Sequence, residues 1–259
     1  MNCDLKRYDS FFTEYSEEMD TMGENTVSFF TYNIDGRETD YQARLDLALR
    51  QIKDLNPDVV AIQEGTYLTY ERLFREMGQM GYKKNFSDDV RQRQFGEIMF
   101  SHRPIVKIEY LPFRQSNEKR GLTRYLVTIG DKNIWFLTTQ FENNVAIRRK
   151  QLAQMESCFL KSSESMIFGG DTQIQHYQQM IAPDGWLDAW YETGSPETEY
   201  TVDCNNNHII QPPIRDRPDR VWYKAKDSEL ECVEFKLIGN NEEDKASGHF
   251  GVYTKFMIL

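Results

Sequence analysis

The sequence predicts an α/β fold in which two packed β-sheets carry helices on their outer faces. A strand, helix, strand order occurs in the first half of the chain and repeats in the second, and the last third reads almost wholly as strand. The 259 residues are 39% hydrophobic, with Phe and Tyr spread throughout and no Gly/Ser-rich or Pro-rich linker, which suits one domain with a sizeable core. The expected organisation is an acidic, partly mobile leader over 1–26 and a single domain over 27–259.

Each element has its own signal. "VSFFTYNI" at 27–34 alternates and is rich in aromatics, as a strand should be. In "YQARLDLALRQIKDLN" the residues Leu45, Ala48, Leu49, Ile52 and Leu55 fall on one helical face, and Pro57 marks the stop. "DVVAIQE" at 58–64 is a short continuous apolar run, the pattern of a strand covered on both faces. A polar helix follows around 66–79, then strands near 95–101, 105–112, 123–129 and 133–141. A helix over 145–162 leads into "SMIFGGD", and "DRVWYKA", "LECVEFKLI" and "HFGVYTKFMIL" complete the strands.

Composition excludes several classes. The N-terminal stretch lacks the cationic start and apolar core of a secretory signal, and no window approaches ~18 uninterrupted apolar residues, so an intracellular protein, nuclear or cytoplasmic, with no membrane partner is expected. Cys3, Cys158, Cys204 and Cys232 are too scattered for a disulfide framework and form no C-x-x-C zinc pair, which suits a reducing compartment. The net charge is −10, half of it in residues 1–26, so a broad non-specific duplex binder is not expected. An enzyme that meets one or two phosphates through a metal fits this balance.

The polar residues gather at one kind of place. Asn33 and Asp35 end the first strand, Glu64 the second, Gln140 and Glu142 close "FLTTQFEN", Asp171 and Gln173 follow "MIFGG", and His249 begins the last strand. Strand ends of α/β sheets are where side chains from distant segments meet in a crevice. Taken singly, Asp35 or Asp171 also reads as a turn residue and His249 equally as a packed core residue. Glu64 is harder to place that way, because an acid at the end of a buried strand needs a partner.

Four motifs in order, "TYNID" (31–35), "IQE" (62–64), "GDTQ" (170–173) and "SGHFG" (247–251), resemble the endonuclease/exonuclease/phosphatase superfamily, whose usual forms are T-W-N, Q-E, G-D-x-N and S-D-H. Within it the likeness is to the branch acting on tyrosyl-DNA, through "LDAWYETG", "YTVDCNNN" and "RPDRVWYK" as well. The resemblance covers residues 27–259 and implies a four-layered α/β sandwich, two mixed sheets flanked by helices. It also implies Mg²⁺-dependent phosphodiester hydrolysis, with Mn²⁺ as the alternative ion.

By position, the resemblance implies Glu64 as metal ligand, Asp35 in the metal's water shell and Asn33 at the phosphate. Asp171 becomes the base, His249 the donor to a nonbridging oxygen, and Asp219 the residue that orients His249, with Gln173 completing the catalytic set. Substrate-facing positions would be Arg120, Gln140, Asn143, Tyr200, Thr201 and Asp203. The implied partner is a nucleic-acid 5′ end carrying a tyrosyl or peptide adduct, met by a monomer.

The chain departs from the family at Gln140 for histidine, Gln173 for asparagine and Gly248 for aspartate, and it has Val202 where the branch has tryptophan. Three of these lie in the phosphate-facing shell. They keep two rivals open: a phosphatase or nuclease with another leaving group, and an impaired relative that binds a phosphate end or a protein without cleaving.

Overall fold

The computed structural model describes residues 6–8, 25–36, 40–83, 96–159, 162–175, 182–209, 214–241 and 244–259. Its strands and α-helices begin with β1 (Lys6–Tyr8), β2 (Thr26–Asn33), α1 (Tyr41–Leu55), β3 (Val59–Gly65) and α2 (Tyr67–Gln79). Next come β4 (Gly96–Ser101), β5 (Ile105–Pro112), β6 (Gly121–Ile129), β7 (Lys132–Thr138), α3 (Val145–Phe159) and β8 (Met166–Asp171). The remainder are β9 (Leu187–Asp188), α4 (Ala189–Thr193), β10 (Val202–Asp203), β11 (Arg215–Asp216), β12 (Asp219–Lys224), β13 (Leu230–Ile238) and β14 (Gly251–Ile258).

The strands form a seven-stranded sheet, β1-β5-β6-β7-β8-β12-β9, and a five-stranded sheet, β13-β14-β2-β3-β4, with β10-β11 as a separate pair. Both sheets are mixed: β2 runs parallel to β3 across α1, and β7 parallel to β8 across α3, while the neighbours of these pairs are antiparallel. These are the two repeated strand, helix, strand units of the sequence.

Alternation along β2 and β3 explains the layering. Val27, Phe29, Val59 and Ala61 face the other sheet and pack with Tyr125, Phe136, Ile167 and Val221. Phe30, Tyr32, Val60 and Ile62 point the other way, onto Leu45, Leu49 and Ile52 of α1 and Leu73 and Met77 of α2. Outside the seven-stranded sheet, Trp135, Phe168 and Trp222 pack on Leu152, Met155 and Phe159 of α3. Helix, sheet, sheet, helix gives four layers, and the apolar run at 58–64 is continuous because both of its faces are covered.

Several boundaries differ from the sequence reading. The strand expected over 133–141 stops at Thr138, and Gln140 makes only an isolated parallel bridge to Asp171. The final strand starts at Gly251, so His249 precedes it in a turn. Strands β9, β10 and β11 are each too short to show an alternating pattern, and β1 pairs Lys6–Tyr8 of the leader with β5. Most of the leader lies outside the described residues. Cys204 and Cys232 are free thiols, as scattered cysteines suggest, whereas Cys158 is disulfide-bonded, which departs from the reduced state expected of it. Among the described residues no helix is long and apolar enough to cross a membrane.

Candidate active site

The ends of β2, β3 and β8 meet where the two sheets face one another, and local backbone geometry aims their polar side chains. Asp35, Glu64 and Gln173 all have positive φ, at 43°, 58° and 53°. For Glu64 the cause is a register shift between Ile62 and Gly65, where β3 bulges against β4. A bulge re-aims the side chain that would otherwise follow the strand's alternation. The two glycines before Asp171 have steric reasons. A Cβ at Gly169 would overlap the Phe29 ring, and one at Gly170 the backbone oxygen of Thr139. Gly36, after "NID", leaves room for the Glu64 carbonyl in the same way.

Asp171 is the hub. It is fully buried, and its Oδ2 accepts from Asn33 Nδ2 (3.0 Å), Gln140 Nε2 (3.0 Å) and Gln173 Nε2 (2.6 Å), while Oδ1 accepts from the Gln173 backbone N–H (2.9 Å). Burial raises its pKa, and the negative charge of Asp219 adds to the rise; His249 and the hydrogen bonds from Gln173 and Asn33 oppose it. The result is a carboxylate held ionisable but more basic than usual.

Gln140 is placed by its own carbonyl. Arg120 donates to Gln140 Oε1, which turns Nε2 toward the acids, where it donates to Glu64 Oε1 (2.6 Å) as well as to Asp171. One neutral amide thereby holds two carboxylates together. Glu97, at the β4 side of the bulge, is buried and accepts from the Gln140 backbone N–H at 3.3 Å.

On the other side, Asp219 stands opposite Asp171 in the register of β8 and β12. Its Oδ2 accepts from His249 Nδ1 at 2.8 Å and from the Thr201 hydroxyl at 2.6 Å. Burial would lower the pKa of His249, but the charge and hydrogen bond of Asp219, with Asp171 and Glu64 behind, outweigh it and push the imidazole up to about 10. His249 is therefore a cation at neutral pH. Ser247 fixes the turn by donating to Asn33 O at 2.7 Å and accepting from His249 N at 3.2 Å, and Asn207 anchors Ser247 O at 2.7 Å.

The structure thus brings Asn33, Glu64, Gln140, Asp171, Gln173, Asp219 and His249 into one hydrogen-bonded network, with Arg120 and Thr201 attached at its edges. Asp35 joins through its backbone N–H, which donates to Asn33 Oδ1 at 3.0 Å, and Arg44 holds the Asp35 carbonyl at 2.7 Å. Three positions from the sequence reading stand apart. Asn143 is exposed, its carbonyl accepting from Arg148; Asp203 is bound to Arg215 and its own turn; Tyr200 stacks under Arg215. Glu142, grouped with the strand-end residues, serves the loop before β6, accepting from Ser116 Oγ (2.7 Å) and Glu118 N (3.0 Å).

Sequence reasoning passed over Glu97, Arg44, Ser247 and Asn207. Glu97 had a legible signal, a charge beside the apolar "IMF", and Ser247 and Asn207 lie inside the quoted "SGHFG" and "YTVDCNNN".

The fold is a four-layered α/β sandwich of the kind seen in endonuclease/exonuclease/phosphatase structures. No protein-family model matches the chain. It is similar to tyrosyl-DNA phosphodiesterase 2 of Rattus norvegicus, 27% identical over 248 residues that cover 88% of this chain and 66% of that protein. The chain spans 61 to 66% of the length of the curated relatives it matches. In fold it resembles D. rerio TDP2 complexed with single strand DNA product (TM-score 0.78, 22% identity, covering 89% of this chain and 98% of that one). It also resembles an endonuclease/exonuclease/phosphatase from Bacteroides vulgatus (TM-score 0.73, 14% identity, covering 90% and 99%). The likeness read from four short motifs extends over about nine-tenths of the chain.

Proposed function

We propose that this chain is a metal-dependent phosphodiesterase that hydrolyses the bond between a tyrosyl or peptide adduct and a nucleic-acid 5′ phosphate. The observation that carries the reading is the arrangement around Asp171: a buried, basic carboxylate held by amides beside the Asp219–His249 pair. The sequence similarity to tyrosyl-DNA phosphodiesterase 2 supplies the substrate class.

The residues fit a divalent ion. Glu64, Asp171 and Asp219 are 6%, 0% and 2% exposed, and Asp219 Oδ1 is buried with no hydrogen-bond partner among the described residues. Such a buried excess of negative charge is costly unless a cation balances it. Asp171, Asp219 and His249 also offer ligand atoms within 4.8 Å of one another, with Asp219 Oδ2 and His249 Nδ1 bound to each other and Asp171 Oδ2 bound to the surrounding amides. Glu64 and Asp35 are the oxygen donors we assign to Mg²⁺, which favours oxygen ligands and keeps several waters. When bound, the ion neutralises charge developing on the phosphoryl group and leaving oxygen.

The chain's own residues do the rest. Asp171 accepts the proton of the attacking water, and its raised pKa makes it a better base than a surface aspartate. His249, cationic and locked by Asp219, donates to a nonbridging oxygen without reorienting. Asn33 and Gln173 keep the Asp171 carboxylate from rotating. One observation favours the binding-module reading: three side-chain amides share Asp171 Oδ2, which stabilises the anion and opposes its protonation.

Turnover of a 5′-tyrosyl single-stranded oligonucleotide, with Mg²⁺ and with chelator, separates the readings. Mg²⁺-dependent release of tyrosine supports the enzyme. Binding of the oligonucleotide with background release overturns it.

A further inference from the structure

Beside the site, the β10–β11 pair carries a planar cation held on one edge and one face. Arg215 Nε and Nη2 donate to the carboxylate of Asp203 at 3.0 and 3.3 Å, and the guanidinium lies 4.3 Å from the centroid of the Tyr200 ring. Asp203 is only 3% exposed and is itself fixed by the Asn205 backbone N–H and by Asn206 Nδ2, both at 3.0 Å. The guanidinium plane is therefore set by a carboxylate on its edge and a ring on one face. Yet 47% of the Arg215 side chain remains exposed. The pair is tied to the active site through Thr201, adjacent to Tyr200, whose hydroxyl donates to Asp219 at 2.6 Å.

We infer that Arg215, backed by Tyr200, is a stacking platform for an unpaired nucleobase of the bound strand. This subsite rests on the nucleic-acid reading above and names a residue that determines how the strand is gripped. A free arginine at this position would serve a phosphate. Pairing with Asp203 cancels much of that attraction and leaves the π-face, and guanidinium planes and aromatic rings are the surfaces on which single-stranded bases stack. The chain's net charge of −10 weakens any general pull on backbone phosphates, which raises the share that base contacts must carry. Val202 on the same pair is aliphatic and only 7% exposed, so it offers the strand no ring.

The test uses the full chain with Mg²⁺ and fluorescence anisotropy of a 5′-phosphorylated single-stranded oligonucleotide, in one form with all bases and in a series of forms each lacking one base near the 5′ end. The natural protein should bind one abasic form about 5- to 150-fold more weakly than the complete strand. Arg215→Ala and Arg215→Lys should both bring that ratio to within about twofold of unity, because lysine keeps the charge and loses the plane. The dependence of log Kd on log salt should keep its slope. Tyr200→Leu, which leaves the Asp203 pair intact, should shrink the ratio part-way.

Two results overturn the platform while leaving the enzyme reading standing. One is an Arg215→Lys variant that keeps the full ratio. The other is an Arg215→Ala variant that weakens complete and abasic strands alike, with the salt slope falling by about one, which marks a phosphate contact. If the natural protein turns over the tyrosyl oligonucleotide but never distinguishes complete from abasic strands, the platform is likewise excluded. If it binds no oligonucleotide and releases no tyrosine, the nucleic-acid reading itself fails.

Discussion

Asp171 and Asp219 face each other across the antiparallel register of β8 and β12, two buried carboxylates with His249 as the cation beside both. Burial, with the charge of Asp219 adding to it, makes Asp171 basic, and His249 keeps the pair tolerable by binding Asp219 at 2.8 Å. If Asp219 acts only through His249, the two residues form one functional unit. The double variant Asp219→Asn/His249→Ala should then be no slower than His249→Ala alone. Single-turnover rates that multiply independently would refute the coupling.

Glu64 is the assigned metal ligand and also the acceptor of one Gln140 N–H at 2.6 Å. Glu64→Gln should leave the fold intact, because the bulge and the two faces of β3 do not depend on the charge, but should abolish cleavage and weaken Mg²⁺ binding. The check is the Mg²⁺ concentration dependence of turnover together with the Mg²⁺-induced rise in Tm. Full activity at saturating Mg²⁺ removes Glu64 from that role.

For the metal-free protein, the titration of His249 gives a pH signature. Its pKa is raised from 6.5 to about 10 on folding, so the folded state holds the proton more tightly than the unfolded chain. The stabilisation is fully present below 6.5 and is lost as pH rises through about 10. Asp171, also raised, acts in the same direction from 3.8 upward. In chelator, unfolding free energy should fall by a few kcal/mol between neutral pH and about pH 10, and His249→Gln should flatten that fall. Parallel curves for the two proteins would show that the ion pair is absent in solution.

Gly36 and Gly78 make a contrasting pair. A Cβ at Gly36 overlaps the Glu64 carbonyl, whereas a Cβ at Gly78 meets nothing within 4 Å inside α2. Gly36→Ala should displace the bulge and lower Mg²⁺ affinity at least tenfold. Gly78→Ala should stabilise the protein by about 0.5–1 kcal/mol with activity unchanged. Thermal melts and Mg²⁺ titration of both variants check this.

Much of this was open to sequence reading for an identifiable reason. The repeated strand, helix, strand order and the two-sided burial of 58–64 are periodic signals, and the acids at strand ends are conspicuous because burial is otherwise hostile to them. What escaped depends on single dihedral angles. Nothing in "IQEG" announces the bulge that gives Glu64 a φ of 58°, and nothing in "TQFE" says that Arg120 will turn the Gln140 amide onto two acids. The position of His249 before β14 rather than in it follows from the Ser247 hydroxyl binding Asn33 O across 214 residues of sequence.

The last prediction concerns the glutamines. An amide has two N–H donors on one nitrogen, and Gln140 uses its nitrogen on Glu64 and on Asp171 while Arg120 occupies its oxygen. A neutral imidazole has one N–H, so Gln140→His leaves one of the two carboxylates without its donor and presents the ring to Arg120. A hydrogen bond to a charged group is worth about 1.5–3 kcal/mol, so the variant should slow turnover roughly 10- to 150-fold. Gln173→Asn shortens the arm that reaches Asp171 Oδ2 at 2.6 Å and should cost a similar factor, while its backbone N–H keeps the Oδ1 contact. Adding Gly248→Asp to both should not rescue them, because it brings a further negative charge beside His249 and the acids already there. An enzyme fitted to its glutamines therefore loses activity as the family residues are restored one by one. If instead the natural protein turns over at background and the triple variant Gln140→His/Gln173→Asn/Gly248→Asp climbs steeply, the glutamines mark a site that has given up catalysis.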